Sequence, residues 1–232
     1  LKEVAQVCGA LFGRVRAILA RRAVPVTIGG DHSLAVGTVA ASAHAARDRG
    51  GRLGLLWFDA HADMNTPETS PSGNVHGMPL AAILGRGARA LCRIGGVSPM
   101  VSPERVALVG IRNLDEREGR TVRDAGIHVF TMRDIDERRM AVVMREAIAA
   151  VTDGTVGFHA SFDMDFVDPS AAPGVGTPVK GGATYREAHL AMEMIADTGR
   201  MLALDMVEIN ALADRENITG ILGAELIESA LG

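Results

Sequence analysis

The chain has 232 residues, enough for one domain with a substantial core, and 47% of them are hydrophobic while only 3% are aromatic. Its 24 basic and 28 acidic residues nearly balance, which excludes the basic field expected of a protein that binds nucleic acid or an anionic membrane. No apolar run approaches the roughly 20 residues of a membrane span, and two cysteines without a CxxC motif indicate a reducing, cytoplasmic location.

Six short apolar runs have the length and composition of buried strands. We predict strands, in chain order, at residues 24–28, 53–58, 106–111, 127–131, 155–162 and 201–207. Between these runs, apolar residues recur with the spacing of amphipathic helices. We predict helices at residues 2–21, 34–49, 79–84, 114–125, 134–151, from 184 onward, and 216–230. Residues 85–103 contain glycine and proline and are predicted to be an irregular connection.

The alternation of strands and helices predicts the fold. Parallel strand pairing, right-handed crossovers and helices on both faces of one sheet follow from it. No internal repeat or linker divides the chain. We therefore predict a single α/β domain over residues 1–232, with three α/β/α layers around a mainly parallel sheet.

Side chains of the metal-ligand type follow four of the predicted strands. They are Asp31-His32, Asp59-x-His61-x-Asp63, Asp163-x-Asp165 and Glu208. The carboxyl ends of parallel strands lie along one edge of a sheet, so these groups are expected to converge there. On an extended backbone, the i, i+2, i+4 spacing also points the three side chains after the second strand the same way.

Each signal alone has a structural alternative. A lone histidine after two glycines is more often a turn or cap residue than a ligand, and an Asp-x-Asp pair is usually a turn or a helix cap. The joint occurrence at equivalent strand ends favours a metal site. The other histidines have no ligand-type neighbour in sequence and are predicted to be structural: His44, His128, His159 and His189.

The residue types indicate which metal the site holds. Four carboxylates and two imidazoles exceed the needs of one ion, and four negative charges neutralise two divalent ions. Ligation without thiolate favours two Mn²⁺ ions, roughly 3.5–4 Å apart, over structural Zn²⁺. Such a pair ionises a shared water near neutral pH, because a bound metal lowers the pKa of water from about 15.7 to about 7.

At these residues the sequence resembles the arginase family of ureohydrolases. Three motifs are shared with ureohydrolases in general: GGDHS at 29–33, DAHAD at 59–63 and SFDMDFVDP at 161–169. Further motifs are similar to the arginase branch: NTP at 65–67, SGNVHG at 72–77, GTPV at 176–179 and DMVEIN at 205–210. The resemblance runs from about residue 23 to the C-terminus.

The resemblance implies a binuclear manganese site. One ion would be held by His32, Asp59, Asp63 and Asp163. The other would be held by Asp59, His61, Asp163 and Asp165. Asp59 and Asp163 would therefore bridge the ions, and the hydroxide between them would attack the guanidinium carbon of L-arginine, giving urea and L-ornithine.

Other site residues are implied in the same way. Glu208 resembles the carboxylate that orients the guanidinium, and Asp63 would help pass the hydroxide proton to the leaving amine. His76 would shuttle protons as the general acid, which suits a histidine because imidazoles ordinarily titrate near neutral pH. The alternative for His76 is a loop residue that fixes its own backbone.

Substrate specificity is implied by polar residues around this site. Asn65, Ser72 and Asn74 resemble the residues that bind the substrate carboxylate, and Asp115 and Glu118 resemble those near its α-amino group. The GTPV motif places Thr177 with them. Agmatine lacks the carboxylate, so a site built for arginine leaves buried donors unpaired when agmatine binds.

Several alternatives stay open at this point. Another ureohydrolase, acting on agmatine or a guanidino acid, would share the metal ligands. A homologue without activity would serve as a structural subunit, although such proteins tend to lose ligands and all six are present here. The resemblance also implies a homo-oligomer, trimer or hexamer. The family's first strand has no counterpart before Leu1, so we expect this sequence to start late.

Overall fold

A computed structural model describes all residues, 1–232, and places six strands in one sheet. Every neighbouring pair of strands is parallel, in the order β1-β6-β5-β2-β3-β4. The strands are β1 (Val26–Ile28), β2 (Leu53–Phe58), β3 (Val106–Ile111), β4 (His128–Thr131), β5 (Gly157–Asp163) and β6 (Met201–Val207). The six predicted strands and their parallel pairing are confirmed.

Nine α-helices surround the sheet. They are α1 (Lys2–Ala20), α2 (Ala35–Asp48), α3 (Pro79–Ile83), α4 (Arg89–Cys92), α5 (Glu116–Asp124), α6 (Met132–Arg138), α7 (Met140–Thr152), α8 (Tyr185–Asp197) and α9 (Ile218–Leu231). None of them combines the length and the apolarity that crossing a bilayer requires.

Two hydrophobic cores lie on opposite faces of the sheet. Successive side chains of a strand point to opposite faces, and in β2 Leu55 and Trp57 pack in one core while Leu56 and Phe58 pack in the other. The first core includes residues of α1 to α5, and the second includes residues of α6 to α9. This arrangement confirms the predicted three-layer α/β/α fold.

Burial explains why the central strands are continuously apolar. All residues of β2, β3 and β5 are buried, because helices cover both faces of these strands. The edge strands β1 and β4 are partly exposed. Ile28 of β1 is 65% exposed, which leaves this edge of the sheet uncovered by the chain.

Two predicted elements differ from the structure. The helix predicted over residues 134–151 is two helices, α6 and α7, because Arg139 between them has a left-handed φ of 71°. The apolar stripe continues on both sides of Arg139, so its spacing does not reveal the break. The connection predicted over residues 85–103 contains α4, which is too short to show a helical period.

Candidate metal and substrate site

The four strands that end in ligand-type residues are direct neighbours in the sheet, in the order β1, β6, β5, β2. Their register is level at the carboxyl edge: Phe58 pairs with Phe162, Phe162 with Met206, and Met206 with Ile28. The chain therefore leaves all four strands at the same height. This brings the segments containing His32, Asp59, Asp163 and Glu208 together, as the sequence predicts.

The first ligand group surrounds Nδ1 of His32. This atom lies 3.1 Å from Oδ2 of Asp163, 3.2 Å from Oδ2 of Asp59 and 3.3 Å from Oδ2 of Asp63. His32, Asp59 and Asp163 offer atoms that all lie within 4.8 Å of one another. The imidazole and the three carboxylates therefore converge on one small, buried volume.

The second ligand group surrounds Nδ1 of His61. This atom lies 3.0 Å from Oδ2 of Asp165 and 3.4 Å from Oδ1 of Asp59. Asp59, His61 and Asp165 also offer atoms that all lie within 4.8 Å of one another. Asp59 belongs to both groups through its two oxygens, as expected of a bridging ligand, whereas Asp163 belongs to the first group only.

The electrostatics of these groups fit divalent cations. Burial and the neighbouring carboxylate of Asp59 raise the pKa of Asp63 well above its usual value. Burial and the carboxylate of Asp165 do the same to the pKa of Asp163. Carboxylates this close repel one another unless protons or cations neutralise them. A site that must bind either protons or cations, built from oxygen and imidazole donors, suits divalent metal ions.

The pKa of His61 is raised as well, but in a histidine a raised pKa favours the charged form. Burial disfavours its imidazolium, but hydrogen bonds to Asp165 and Asp59 outweigh burial and raise the pKa to about 11. The proton on His61 thus balances part of the local negative charge. A metal ligand must be the neutral imidazole, so cation binding at this group would release that proton.

Neighbouring side chains hold His32 and Asp59 of the first ligand group in place. Trp57 stacks on the ring of His32 at a centroid distance of 4.0 Å, and its indole N–H donates to Oδ2 of Asp59 at 3.0 Å. Nε2 of His32 is 2.9 Å from Oγ of Ser161. Partners of this kind set the orientation of a ligating imidazole and leave its other nitrogen free for the metal.

Two site residues adopt left-handed backbone conformations. Asp63 has a φ of 53° and Glu208 a φ of 59°. Such conformations cost about 1–3 kcal/mol for a residue other than glycine and persist where the surrounding structure enforces them. Glu208 is held by its own backbone N–H, which donates to the carbonyl of Gly30 at 2.8 Å.

A polar cavity of about 320 Å³ opens above the ligand groups. Most of the residues that line it have polar or charged side chains. Among the predicted site residues, the following line it: His32, His61, Asp63, Asn65, Ser72, His76, Asp115, Glu118, Asp163, Thr177 and Glu208. Asp59 and Asp165 lie beneath its floor, each about 1% exposed. Asn74 does not line it; its backbone N–H donates to Oγ of Ser72 on the exposed loop.

His76 and Glu208 lie next to each other where they line this cavity. Nδ1 of His76 is 3.9 Å from Oε1 of Glu208, and that oxygen accepts from the backbone N–H of His32 at 2.9 Å. Burial raises the pKa of Glu208 above its usual value. The His76 side chain is 32% exposed, whereas that of His32 is 1% exposed. Of these two histidines, only His76 is therefore open to proton exchange with solvent.

Three further residues form a hydrogen-bonded wall. Nδ2 of Asn65 donates to Oδ2 of Asp115 at 2.8 Å, and Oδ1 of Asp115 caps α5 by accepting from the backbone N–H groups of Arg117 and Glu118. Oε1 of Glu118 accepts from the backbone N–H of Met64 at 2.9 Å, while burial raises the pKa of Glu118 to about 7. These bonds orient two acids toward the cavity.

Sequence reasoning missed several residues of the site. Pro71, Gly77 and Asn113 also line the cavity, and Trp57 and Ser161 hold the first ligands. Four of them lie inside the motifs that carry the resemblance or within two residues of one, and Asn113 lies two residues before Asp115, so proximity to residues named by the resemblance was the available signal. Their side-chain types alone do not indicate a ligand or a substrate contact.

The four histidines predicted to be structural lie outside both ligand groups. His44 bonds the carbonyl of Gly95, His128 that of Glu104, and His189 the hydroxyl of Ser229. His159 differs from the expectation in one respect, because its Nε2 lies 2.8 Å from a carboxylate oxygen of Asp205. That partner is distant in sequence, so no local pattern revealed it.

Comparisons with known proteins agree with this site. A family model described as the arginase family matches residues 2–232. The arginase of Bacillus caldovelox is 49% identical over 232 residues, which cover 100% of this chain and 76% of that protein. The arginase of Bacillus subtilis (strain 168) is 45% identical over 222 residues, covering 96% and 73%. The solved structure of the Bacillus caldovelox arginase has a TM-score of 0.95 at 48% identity, covering 99% of this chain and 75% of that one.

Together, the parallel α/β/α fold, the paired histidine and aspartate groups at its carboxyl edge and these relatives define a hydrolase with candidate metal ligands. Within that class, the chain belongs to the arginase family. The resemblance inferred from the motifs is thereby confirmed.

Proposed function

We propose that this chain hydrolyses the guanidinium group of L-arginine to L-ornithine and urea with the help of two Mn²⁺ ions. The observation that carries the proposal is the pair of ligand groups that share Asp59 at the base of a cavity lined mainly by polar and charged residues. The arginase names of the most similar relatives support the substrate.

The ligands would divide between the two ions as follows. His32, Asp59, Asp63 and Asp163 would hold one ion, and Asp59, His61, Asp163 and Asp165 the other. The chemistry that such a pair supplies when bound is a water ionised near neutral pH. Oxygen and imidazole donors without thiolate support Mn²⁺ as the metal.

Glu208 would bind and orient the substrate guanidinium. Its carboxylate lies at the cavity wall, and a carboxylate matches the planar fork of a guanidinium through two parallel hydrogen bonds. The bond from the His32 backbone N–H fixes Oε1 of Glu208, so the carboxylate is positioned before substrate arrives. Orientation of this kind reduces the entropy lost on the way to the transition state.

His76 and Asp63 would handle protons. His76 is partly exposed and lies 3.9 Å from Glu208, so its imidazole can take a proton from solvent and donate it to the leaving amine. Asp63 lies at the ligand group and also lines the cavity, where its Oδ atoms can pass a proton to the same amine. The two groups would thus both supply protons to the leaving amine.

The polar wall would select an amino acid. Asn65 and Ser72, with Asn74 bonded to Ser72 on the same loop, would bind the carboxylate, while Asp115 and Glu118 would bind the α-amino group. Thr177 lines the same cavity and contacts Oδ2 of Asp165 at 3.2 Å. Agmatine would leave the carboxylate-binding donors unpaired, which disfavours it.

Three broader assignments accompany this function. We infer that residues 1–232 act as one catalytic domain, because all six strands form one sheet. We also infer a cytoplasmic location, from the cysteine usage, and a homo-oligomer, trimer or hexamer, from the family resemblance.

The proposed function is tested by urea release from two substrates. The purified chain, loaded with Mn²⁺, is assayed with L-arginine and with agmatine, and again after chelation of the metal. We expect urea from L-arginine, at least tenfold less from agmatine, and none after chelation. A preference for agmatine would contradict the substrate assignment, and a chain that takes up no Mn²⁺ and forms no urea from either compound would favour a structural subunit.

A further inference from the structure

Arg112 follows β3, a strand that supplies none of the candidate ligands, yet its side chain reaches the ligand loops. Its Nη2 donates to the carbonyl oxygens of Asp165 at 2.5 Å and Val179 at 2.8 Å. Its Nη1 donates to the carbonyl oxygens of Phe166 and Gly110, both at 3.3 Å. One half-buried guanidinium therefore bonds four backbone carbonyls.

The backbone of Arg112 and Asn113 also holds the loop from Asp59 to Asp63, which carries candidate ligands. The N–H groups of Arg112 and Asn113 both donate to the carbonyl of Ala60, at 2.9 and 3.0 Å. The N–H of Ala60 in turn donates to Oδ1 of Asp165 at 3.0 Å. Arg112 thus connects three segments: the loop from Asp59 to Asp63, the turn from Asp163 to Phe166, and the loop that carries Thr177 and Val179.

These bonds require the shape of an arginine side chain. A guanidinium offers five donors in a rigid plane, whereas a lysine ammonium offers three donors at one point and cannot span separate carbonyls. The positive charge also lies close to the buried acids, and the acids with the largest electrostatic effect on it are Asp165 and Asp59. Both belong to the second ligand group.

We propose that Arg112 is a positioning residue for the second ligand group, fixing the backbone of Asp165 against the loop of His61 without touching ion or substrate. The inference rests on the proposed function, because it concerns one of the two ions. The first group has separate supports, since Trp57 and Ser161 hold His32. Loss of the guanidinium should therefore weaken one ion site and spare the other.

The test compares Mn²⁺ binding by the wild-type chain and the variants Arg112→Lys and Arg112→Met. Arg200→Lys is a matched control, because Arg200 also donates to backbone carbonyls, those of Thr152 and Thr155, but precedes β6 at the opposite edge of the sheet. Calorimetric titration gives the number and affinity of bound ions. Electron paramagnetic resonance distinguishes the broad spectrum of a coupled Mn²⁺ pair from the sharp spectrum of an isolated ion.

We expect two ions in the wild type and in Arg200→Lys. In both Arg112 variants, one ion should bind as in the wild type and the other about 10- to 100-fold more weakly, with the spectrum of an isolated ion at intermediate Mn²⁺. Because Lys keeps the charge, its failure to restore the second site identifies the hydrogen-bonding fork as the cause.

Three outcomes would overturn the proposal. Unchanged affinity for both ions in Arg112→Lys would show that the fork does not position the site. If the Arg112 variants lost affinity equally for both ions, or if Arg200→Lys lost as much affinity as they do, the cause would be a general effect on folding. Circular dichroism of the metal-free chains would reveal such an effect. A wild-type chain that binds no Mn²⁺ would refute the proposed function itself.

Discussion

Asp59 is the residue on which both ligand groups depend. Its Oδ2 faces His32 and its Oδ1 faces His61, and both oxygens also accept N–H bonds, from Trp57 and from the His61 backbone. Burial alone would raise its pKa, but hydrogen bonds and charges of the two imidazoles hold the pKa below its usual value. Asp59 is therefore favoured as a carboxylate, the form in which it can bridge two cations.

A substitution of His76 separates proton transfer from metal binding. We expect His76→Asn to lower kcat for L-arginine about a hundredfold or more, because the variant cannot donate a proton to the leaving amine. Mn²⁺ affinity should be unchanged, since His76 belongs to neither ligand group. The control His128→Asn changes an exposed histidine at the start of β4 and should leave kcat unaltered. Full activity of His76→Asn would refute the role assigned to His76.

At the scale of elements, the site depends on how closely α7 packs on β2, the strand that delivers Asp59. Gly54 of β2 lies against the last turn of α7, where an added Cβ would sit 1.9 Å from the carbonyl oxygen of Val151. Only glycine allows the helix to approach the strand this closely. Gly13, by contrast, lies on an exposed face of α1 with open space around it.

The same change at these two glycines should have opposite effects. We expect Gly54→Ala to lower the free energy of unfolding by about 3 kcal/mol or more, because backbone atoms must move to make room. Gly13→Ala should raise it by about 1 kcal/mol, since alanine favours an exposed helix interior. Urea denaturation followed by circular dichroism measures both. Similar destabilisation by the two substitutions would contradict the packing described.

The sequence predicts most strands and helices because buried positions are occupied by apolar residues. The boundaries of β2, β3 and β6 agree with the predictions because these strands are almost wholly buried and their apolar runs are continuous. The left-handed conformations of Arg139, Asp63 and Glu208 were not predictable, because these residue types carry no glycine-like signal.

At the candidate site, too, some features could be predicted from the sequence and others could not. Ligand types and spacing predict the side chains that converge, because parallel strands place their carboxyl ends together. Arg112 was not foreseen, because its partners are backbone carbonyls, and any sequence supplies those. The bond between His159 and Asp205 joins residues 46 positions apart and likewise has no local signal.

At the scale of the whole molecule, four neighbouring strands end level and direct their following loops to one edge, while the two cores keep the sheet rigid beneath them. Ligands bound by parallel α/β sheets lie at this edge because every loop there can contribute a side chain. The architecture thus provides a fixed base for the two candidate ligand groups, with an open cavity above them.

The central claim is that the two ligand groups sharing Asp59 hold a pair of metal ions. The most direct test is the anomalous scattering of Mn²⁺ from crystals grown with the metal. We expect two peaks roughly 3.5–4 Å apart, one among His32, Asp59 and Asp163 and the other among Asp59, His61 and Asp165. A single peak, no peak, or peaks away from these side chains would contradict the account.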